Sequence, residues 1–189
     1  MHTKHTLQEY LDALRDAGIL TEHSVSDVQQ EIACLTYDTR TLSAPALFIC
    51  KGAHFKEEYL HTALENGAVA YVADHRYDVD APCILVSDIR YSLVVLGQLF
   101  YNKVTEALTS VGITGTKGKS TTTYYVKAIL DRYLEKECAV LSSIDNYDGV
   151  IREESHLTTP EILDLHRHFD NAVKSGLTHL VMEVSSQGL

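Results

Sequence analysis

A chain of 189 residues with 45% apolar character can bury one large core or two small ones, so a globular protein is expected. Its formal net charge of -10 argues against sequence-independent binding to a nucleic-acid backbone, which needs a basic patch, and no nucleic-acid partner is expected. No run of about 18 apolar residues occurs and the start Met1-His2-Thr3-Lys4-His5 is polar. Neither a membrane span nor a signal peptide is therefore expected, and the cytoplasm is the default compartment.

Thr6 followed by Glu9 forms a capping-box pattern, and Leu7, Tyr10, Leu11 and Leu14 share one helical face before Gly18, so the chain opens with a helix. Residues 32–37 and 47–50 suit short strands, with the polar turn Asp38-Thr39-Arg40-Thr41 between them. Residues 59–66 read as a short helix stopped by Gly67, and 68–73 and 83–86 as two apolar strands. Asp88 can then cap a helix that turns Ile89, Leu93, Leu96, Leu99 and Phe100 toward a core. The four cysteines, Cys34, Cys50, Cys83 and Cys138, contain no Cys-x-x-Cys pair and read as reduced, mostly buried thiols.

A second unit is expected from residue 107, giving domains 1–106 and 107–189 on the change of motif alone. Residues 108–114 form an apolar strand that feeds a glycine-rich turn and a helical pattern from 119 to 134. A strand at 138–141, a polar loop through Gly149, a helix at 160–174 stopped by Gly176 and a strand at 179–183 follow. Strands alternating with helices imply an α/β fold with a mostly parallel sheet.

The strongest chemical signal is Gly115-Thr116-Lys117-Gly118-Lys119-Ser120-Thr121, set where a strand ends and a helix begins. Glycines let the backbone turn N–H groups onto phosphate oxygens, and the helix N-terminus adds partial positive charge. Lys119 supplies a full charge and the Ser120 hydroxyl is placed to ligate magnesium, so the stretch reads as a nucleoside triphosphate site. It departs from the standard Walker spacing, because Ile113 stands where a glycine is usual and Gly112 comes one residue early. Glu183 closes the apolar run Leu180-Val181-Met182, which puts a carboxylate at the C-terminal edge of a strand, where it could complete a magnesium shell.

The stretch from Ile113 to Thr121, together with Leu157-Thr158-Thr159-Pro160 and Met182-Glu183-Val184-Ser185-Ser186-Gln187-Gly188, resembles the Mur ligases, in particular the MurE type. In the first half, Asp38-Thr39-Arg40 resembles the family's Asp-Ser-Arg turn, and residues 47–52 the strand and turn that follow it. The resemblance implies a small N-terminal UDP-binding α/β domain followed by an incomplete phosphate-loop central domain. It also implies an ATP-dependent amide-bond ligase of peptidoglycan synthesis that adds the third residue to UDP-N-acetylmuramoyl-L-alanyl-D-glutamate. In that reaction ATP yields an acyl phosphate, which the amine of the incoming amino acid attacks. ATP and Mg2+ are the implied cofactors, and the UDP-N-acetylmuramoyl dipeptide and an amino acid the substrates.

Carried over by resemblance, residues Gly115 to Thr121 bind ATP, Lys119 and Glu183 are catalytic, and Ser120 and Glu183 hold the metal. Thr39 contacts UDP, with the loop at Gly52, Ala53 and His54 as a softer candidate, and Thr158, Thr159 and Ser185 hold the muramoyl peptide. Thr39 stands where serine is more usual, which keeps the hydroxyl and adds a methyl group. Thr158 and Thr159 have a second reading as a helix N-cap ahead of Pro160. Lys117 replaces an asparagine common in the family and, with Ser185-Ser186-Gln187-Gly188, is similar to lysine-adding ligases of Gram-positive bacteria.

The resemblance also leads one to expect that the chain stops inside the central domain. The amino-acid-binding domain, a later magnesium-ligating histidine and a carbamylated lysine would then be absent, and an unpaired sheet edge would remain. Of the ten histidines none sits in a His-Glu-x-x-His arrangement, and His166 and His168 are expected on different faces of one helix. No serine or cysteine nucleophile stands in a recognisable motif with its base. Two rival readings are a folylpolyglutamate synthase-like ligase, which shares the phosphate loop, and a non-catalytic nucleotide-binding module.

Overall fold

The computed structural model describes residues 4–52 and 55–185, so the candidates Ala53 and His54 and the motif residues Ser186, Gln187 and Gly188 lie outside the described residues. The chain divides into two compact units, Met1–Asn102 and Lys103–Leu189.

In the first unit, β1 (His5–Thr6) runs directly into α1 (Leu7–Asp16). The Thr6 hydroxyl accepts from the Glu9 N–H, and the Glu9 carboxylate accepts from the Thr6 N–H at 2.8 Å, so the capping box is complete. Leu7, Tyr10, Leu11 and Leu14 are all buried, as their spacing requires. Next come β2 (Leu20–His23), β3 (Glu31–Ile32), β4 (Cys34–Thr36), β5 (Ala46–Ile49), α2 (Glu57–Glu65), β6 (Ala68–Ala73), β7 (Cys83–Val86) and α3 (Ile89–Phe100).

The sheet order is β2-β7-β6-β5-β4, with β4 to β7 mutually parallel and β2 antiparallel on the edge. All four residues of β5 are fully buried, as befits an inner parallel strand covered on both faces. The single strand expected at 32–37 is instead two. Ile32 pairs with His5 of β1, while the N–H groups of Ala33 and Cys34 both turn to the Pro45 carbonyl and β4 joins β5. β2 was not foreseen because three of its four residues, Thr21, Glu22 and His23, are exposed and polar. Gly67 stops α2 at φ +101, and a Cβ there would stand 2.4 Å from that of Ala44, so the turn admits no side chain. Asp88 caps α3 by accepting from the Tyr91 N–H at 2.9 Å.

In the second unit a 3-10 turn, Val104–Ala107, leads to β8 (Thr109–Ile113) and α4 (Lys119–Leu134). β9 (Ala139–Leu141), β10 (Asp145–Tyr147), β11 (Arg152–Glu154), α5 (Ile162–Lys174) and β12 (His179–Glu183) follow. The sheet order is β11-β10-β9-β12-β8, with β12 parallel to both β8 and β9, and β10 antiparallel to both β9 and β11. The polar loop expected through Gly149 is therefore a hairpin. All three residues of β11 are exposed and charged, so no apolar alternation announced it. β8 lies at the opposite edge, and α4 leaves Tyr125, Ile129 and Tyr133 exposed.

α5 begins at Ile162 rather than at Pro160, and its N-cap is Glu161, which makes no side-chain capping bond. The N-cap reading of Thr158 and Thr159 is thus overturned, because both precede the cap. His166 and His168 are both buried on this helix. Cys50, Cys83 and Cys138 are buried and all four thiols are free.

The hairpin is fastened to α5 through Asp148, which is fully buried. Its Oδ1 accepts from the N–H groups of Val150 and Ile151 at 3.0 and 2.6 Å. Its Oδ2 accepts from Asn171 Nδ2 at 2.9 Å and faces His168 Nδ1 at 2.7 Å. Burial alone would raise this carboxyl, but the hydrogen bonds from His168, Ile151, Asn171 and Val150 outweigh it and hold the pKa at about 2, below the ordinary 3.8. A depressed carboxylate contributes stability that is fully present above pH 3.8 and lost as pH falls through about 2. Asp148→Asn is therefore expected to cost about 2 kcal/mol at neutral pH. Denaturation curves of the two proteins should converge on acidification, and a constant difference down to pH 2 would contradict this account.

Candidate functional site

The candidate phosphate loop joins the end of β8 to the start of α4, and residues 114–118 are exposed. Gly115 and Gly118 take φ of +147 and +78, conformations that L side chains rarely adopt. Gly118 is the N-cap of α4, and no side chain caps the helix there. The N–H groups of the first turn are thus left to a ligand or to solvent. Lys119 folds back along the loop, its Nζ donating to the Gly115 carbonyl at 3.0 Å.

Glu183 lies in register with Ile113, which brings the end of β12 beside the loop. Its side chain is only 1% exposed. Oε2 accepts from Ser120 Oγ at 3.2 Å, and Oε1 accepts from the N–H and Oγ of Ser143 at 3.0 and 3.1 Å. The two serine hydroxyls are themselves 3.0 Å apart. Among the described residues, every hydrogen-bond partner of this buried carboxylate side chain is neutral. A cation would compensate the charge, and hydroxyl and carboxylate oxygens are the hard donors Mg2+ prefers, so the residues present fit that ion. Ser143 was not singled out from sequence. The usable signal was its place just past the apolar run that ends at Leu141, at the carboxyl end of a strand parallel to β12.

Thr159 and Ser185 meet at the same strand end. Thr159 Oγ1 accepts from the Ser185 N–H at 3.0 Å and lies 3.2 Å from the Glu183 carbonyl, to which it donates, and 3.3 Å from Ser185 Oγ. Thr159 therefore ties the segment before α5 to the end of β12. Thr158 is half-buried and its hydroxyl makes no hydrogen bond among the described residues.

Thr39 belongs to the first unit, in the turn that follows β4 at the carboxyl end of the parallel sheet, where open α/β sheets bind ligands. Arg40 grips Asp38 from both sides, with Nε 2.9 Å from Oδ1 and a terminal nitrogen 2.6 Å from Oδ2. That pairing holds the Asp38 carboxyl below its ordinary value. The hydroxyls of Thr36 and Thr41 are 2.9 Å apart across the same turn. Lys51 sits over the Tyr37 ring at 4.1 Å, linking the turn after β5 to the turn after β4. The half-buried Thr39 hydroxyl makes no hydrogen bond among the described residues.

Residues 113–189 match the family model of the Mur ligase middle domain, a stretch that contains the phosphate loop, Ser143, Thr159 and Glu183. The chain is 45% identical over 161 residues to a UDP-N-acetylmuramoyl-L-alanyl-D-glutamate-L-lysine ligase of Enterococcus faecalis, covering 84% of this chain and 32% of that protein. It is 42% identical over 180 residues to a UDP-N-acetylmuramyl-tripeptide synthetase of Lactobacillus delbrueckii subsp. bulgaricus, covering 92% and 35%. The chain belongs to the Mur ligase family. It spans about a third of the length of these curated Mur ligases. Among solved Mur ligases, a UDP-N-acetylmuramoyl-L-alanyl-D-glutamate-2,6-diaminopimelate ligase shares its fold at a TM-score of 0.76 and 22% identity, over 98% of this chain and 37% of that one.

Thr159→Val removes the hydroxyl that holds β12 but leaves α5 uncapped as before. Hydrogen exchange should speed up at the Ser185 amide and stay unchanged in the first turn of α5. Faster exchange confined to α5 would restore the N-cap reading.

Proposed function

We propose that this chain forms the UDP-substrate- and ATP-binding part of a ligase that adds an amino acid to UDP-N-acetylmuramoyl-L-alanyl-D-glutamate in peptidoglycan synthesis. The observation that carries the proposal is the buried Glu183 carboxylate, held against the Ser120 hydroxyl at the mouth of an uncapped helix. The relatives named above act, by name, on that muramoyl dipeptide or make the tripeptide. The L-lysine ligase among them, together with Lys117, favours L-lysine as the added residue.

In this reading Gly115, Thr116, Lys117, Gly118 and Thr121 line the path of the ATP phosphates, and Lys119 turns its ammonium from the Gly115 carbonyl to the phosphate oxygens. Ser120 and Glu183 would hold Mg2+, which when bound neutralises charge on the phosphates. The substrate carboxylate takes the γ-phosphoryl group, releasing ADP and leaving an acyl phosphate. The amine of the incoming amino acid then attacks the acyl carbon and phosphate departs. What these residues contribute is positioning and charge neutralisation rather than covalent chemistry. Thr158, Thr159 and Ser185 offer hydroxyls to the muramoyl peptide without burying a charge, and Thr39 offers one to UDP. Among the described residues no helix is long and apolar enough to cross a membrane.

Calorimetric titration with UDP-N-acetylmuramoyl-L-Ala-D-Glu, and separately with Mg-ATP, tests the assignment, with free UDP and GTP as controls. Both ligands should bind. Lys119→Ala should weaken ATP binding by about tenfold or more while sparing the muramoyl dipeptide, and Thr39→Val should do the reverse. ATP binding with no uptake of the muramoyl dipeptide would remove the peptidoglycan assignment.

A further inference from the structure

Ser143 stands on the loop that leaves β9, outside the phosphate loop and outside every motif that carried the family resemblance. Two of its groups, the N–H and the hydroxyl, converge on a single oxygen, Oε1 of Glu183, at 3.0 and 3.1 Å. That leaves Oε2 turned toward Ser120, the other hydroxyl of the site, at 3.2 Å. A glutamate side chain at the end of a strand has several staggered rotamers, and two donors on one oxygen select the one that aims the other oxygen at the phosphate loop.

The loop that carries Ser143 is itself held rigidly. Ser142 is fully buried, its hydroxyl accepting from the N–H groups of Ile144 and Asp145 at 3.1 Å each and donating to the Asp145 carbonyl at 3.0 Å. The Tyr124 hydroxyl, from the second turn of α4, lies 3.2 Å from Ser142 Oγ and also donates to the Asp145 carboxylate. The helix that begins with Lys119 and Ser120 is thereby pinned to the loop that orients Glu183. Burial and the Asp145 carboxylate both raise the Tyr124 hydroxyl above its ordinary pKa, so it stays a donor across the neutral range.

We propose that Ser143 is a positioning residue of the phosphate site, fixing the Glu183 carboxylate so that its second oxygen and the Ser120 hydroxyl together receive a divalent cation. The proposal rests on the phosphate-site reading given above. Ser143 itself is exposed, so its removal should not disturb the core.

The test is binding of a fluorescent ATP analogue to the whole chain across a Mg2+ series, for the unsubstituted protein, Ser143→Ala and Ser143→Thr, with thermal melts alongside. Ser143→Ala should raise the Mg2+ concentration needed for half-maximal binding by about ten- to a hundredfold, the effect of losing a partner that orients a metal-binding carboxylate. Its affinity for the nucleotide in EDTA and its melting temperature should match those of the unsubstituted chain. Ser143→Thr keeps both donors and should restore the Mg2+ dependence. An unchanged Mg2+ dependence in Ser143→Ala, or an equal loss with and without Mg2+, overturns the proposal while leaving the phosphate site standing. No nucleotide binding by the unsubstituted chain overturns the phosphate-site reading and this proposal with it.

Discussion

A carboxylate almost wholly removed from water must have its oxygens satisfied, and in the second unit that demand falls on Asp148 in the hairpin and on Glu183 at the end of β12. The partners of Glu183 come from two other places in the chain: Ser120 at the start of α4 and Ser143 after β9. Neither could reach it unless β12 ran between β8 and β9 and parallel to both. The central strand order and the site geometry are thus one constraint. Breaking the order would bury an unpaired charge, which costs far more than the loss of a surface contact.

The same logic of parallel strands recurs in the first unit on a smaller scale. β4 and β5 run together, so the turns that follow them emerge side by side, and the Lys51–Tyr37 contact joins them. Asp38 and Arg40 neutralise each other within that turn and stiffen it. A hydroxyl on a stiffened turn at the carboxyl edge of a sheet suits a polar ligand, which is the role proposed for Thr39.

An acidic chain with a net charge of -10 can still serve an anionic ligand, because binding of phosphate depends on the local field and not on the total. The exposed loop 114–118, the uncapped start of α4 and the Lys119 ammonium are the groups proposed to supply that field. The buried Glu183 would oppose it, and in the function proposed here a divalent cation between the carboxylate and the phosphates compensates that charge.

Periodicity and local chemistry were enough to read α1 with its capping box, the Asp88 cap, α4 at its full length, and the strands β6, β7 and β12, since each carries its own apolar pattern or stop signal. The glycine-rich turn between β8 and α4 and the strand-end place of Glu183 were likewise legible, because glycine spacing and a strand-end carboxylate are local features. Tertiary structure alone decided the rest. β2 and β11 are edge strands with exposed polar residues, so pairing and not hydrophobicity makes them strands. The strand expected at 32–37 was divided by competition between two partners, β1 and β5, that no local pattern reveals. Thr159 looked like a helix cap from its place before Pro160, yet it serves the end of β12, more than twenty positions later. Ser143 gained its contacts only when strands distant in sequence became neighbours. A chain can announce what each segment prefers; which segments meet is settled by the burial of all of them at once.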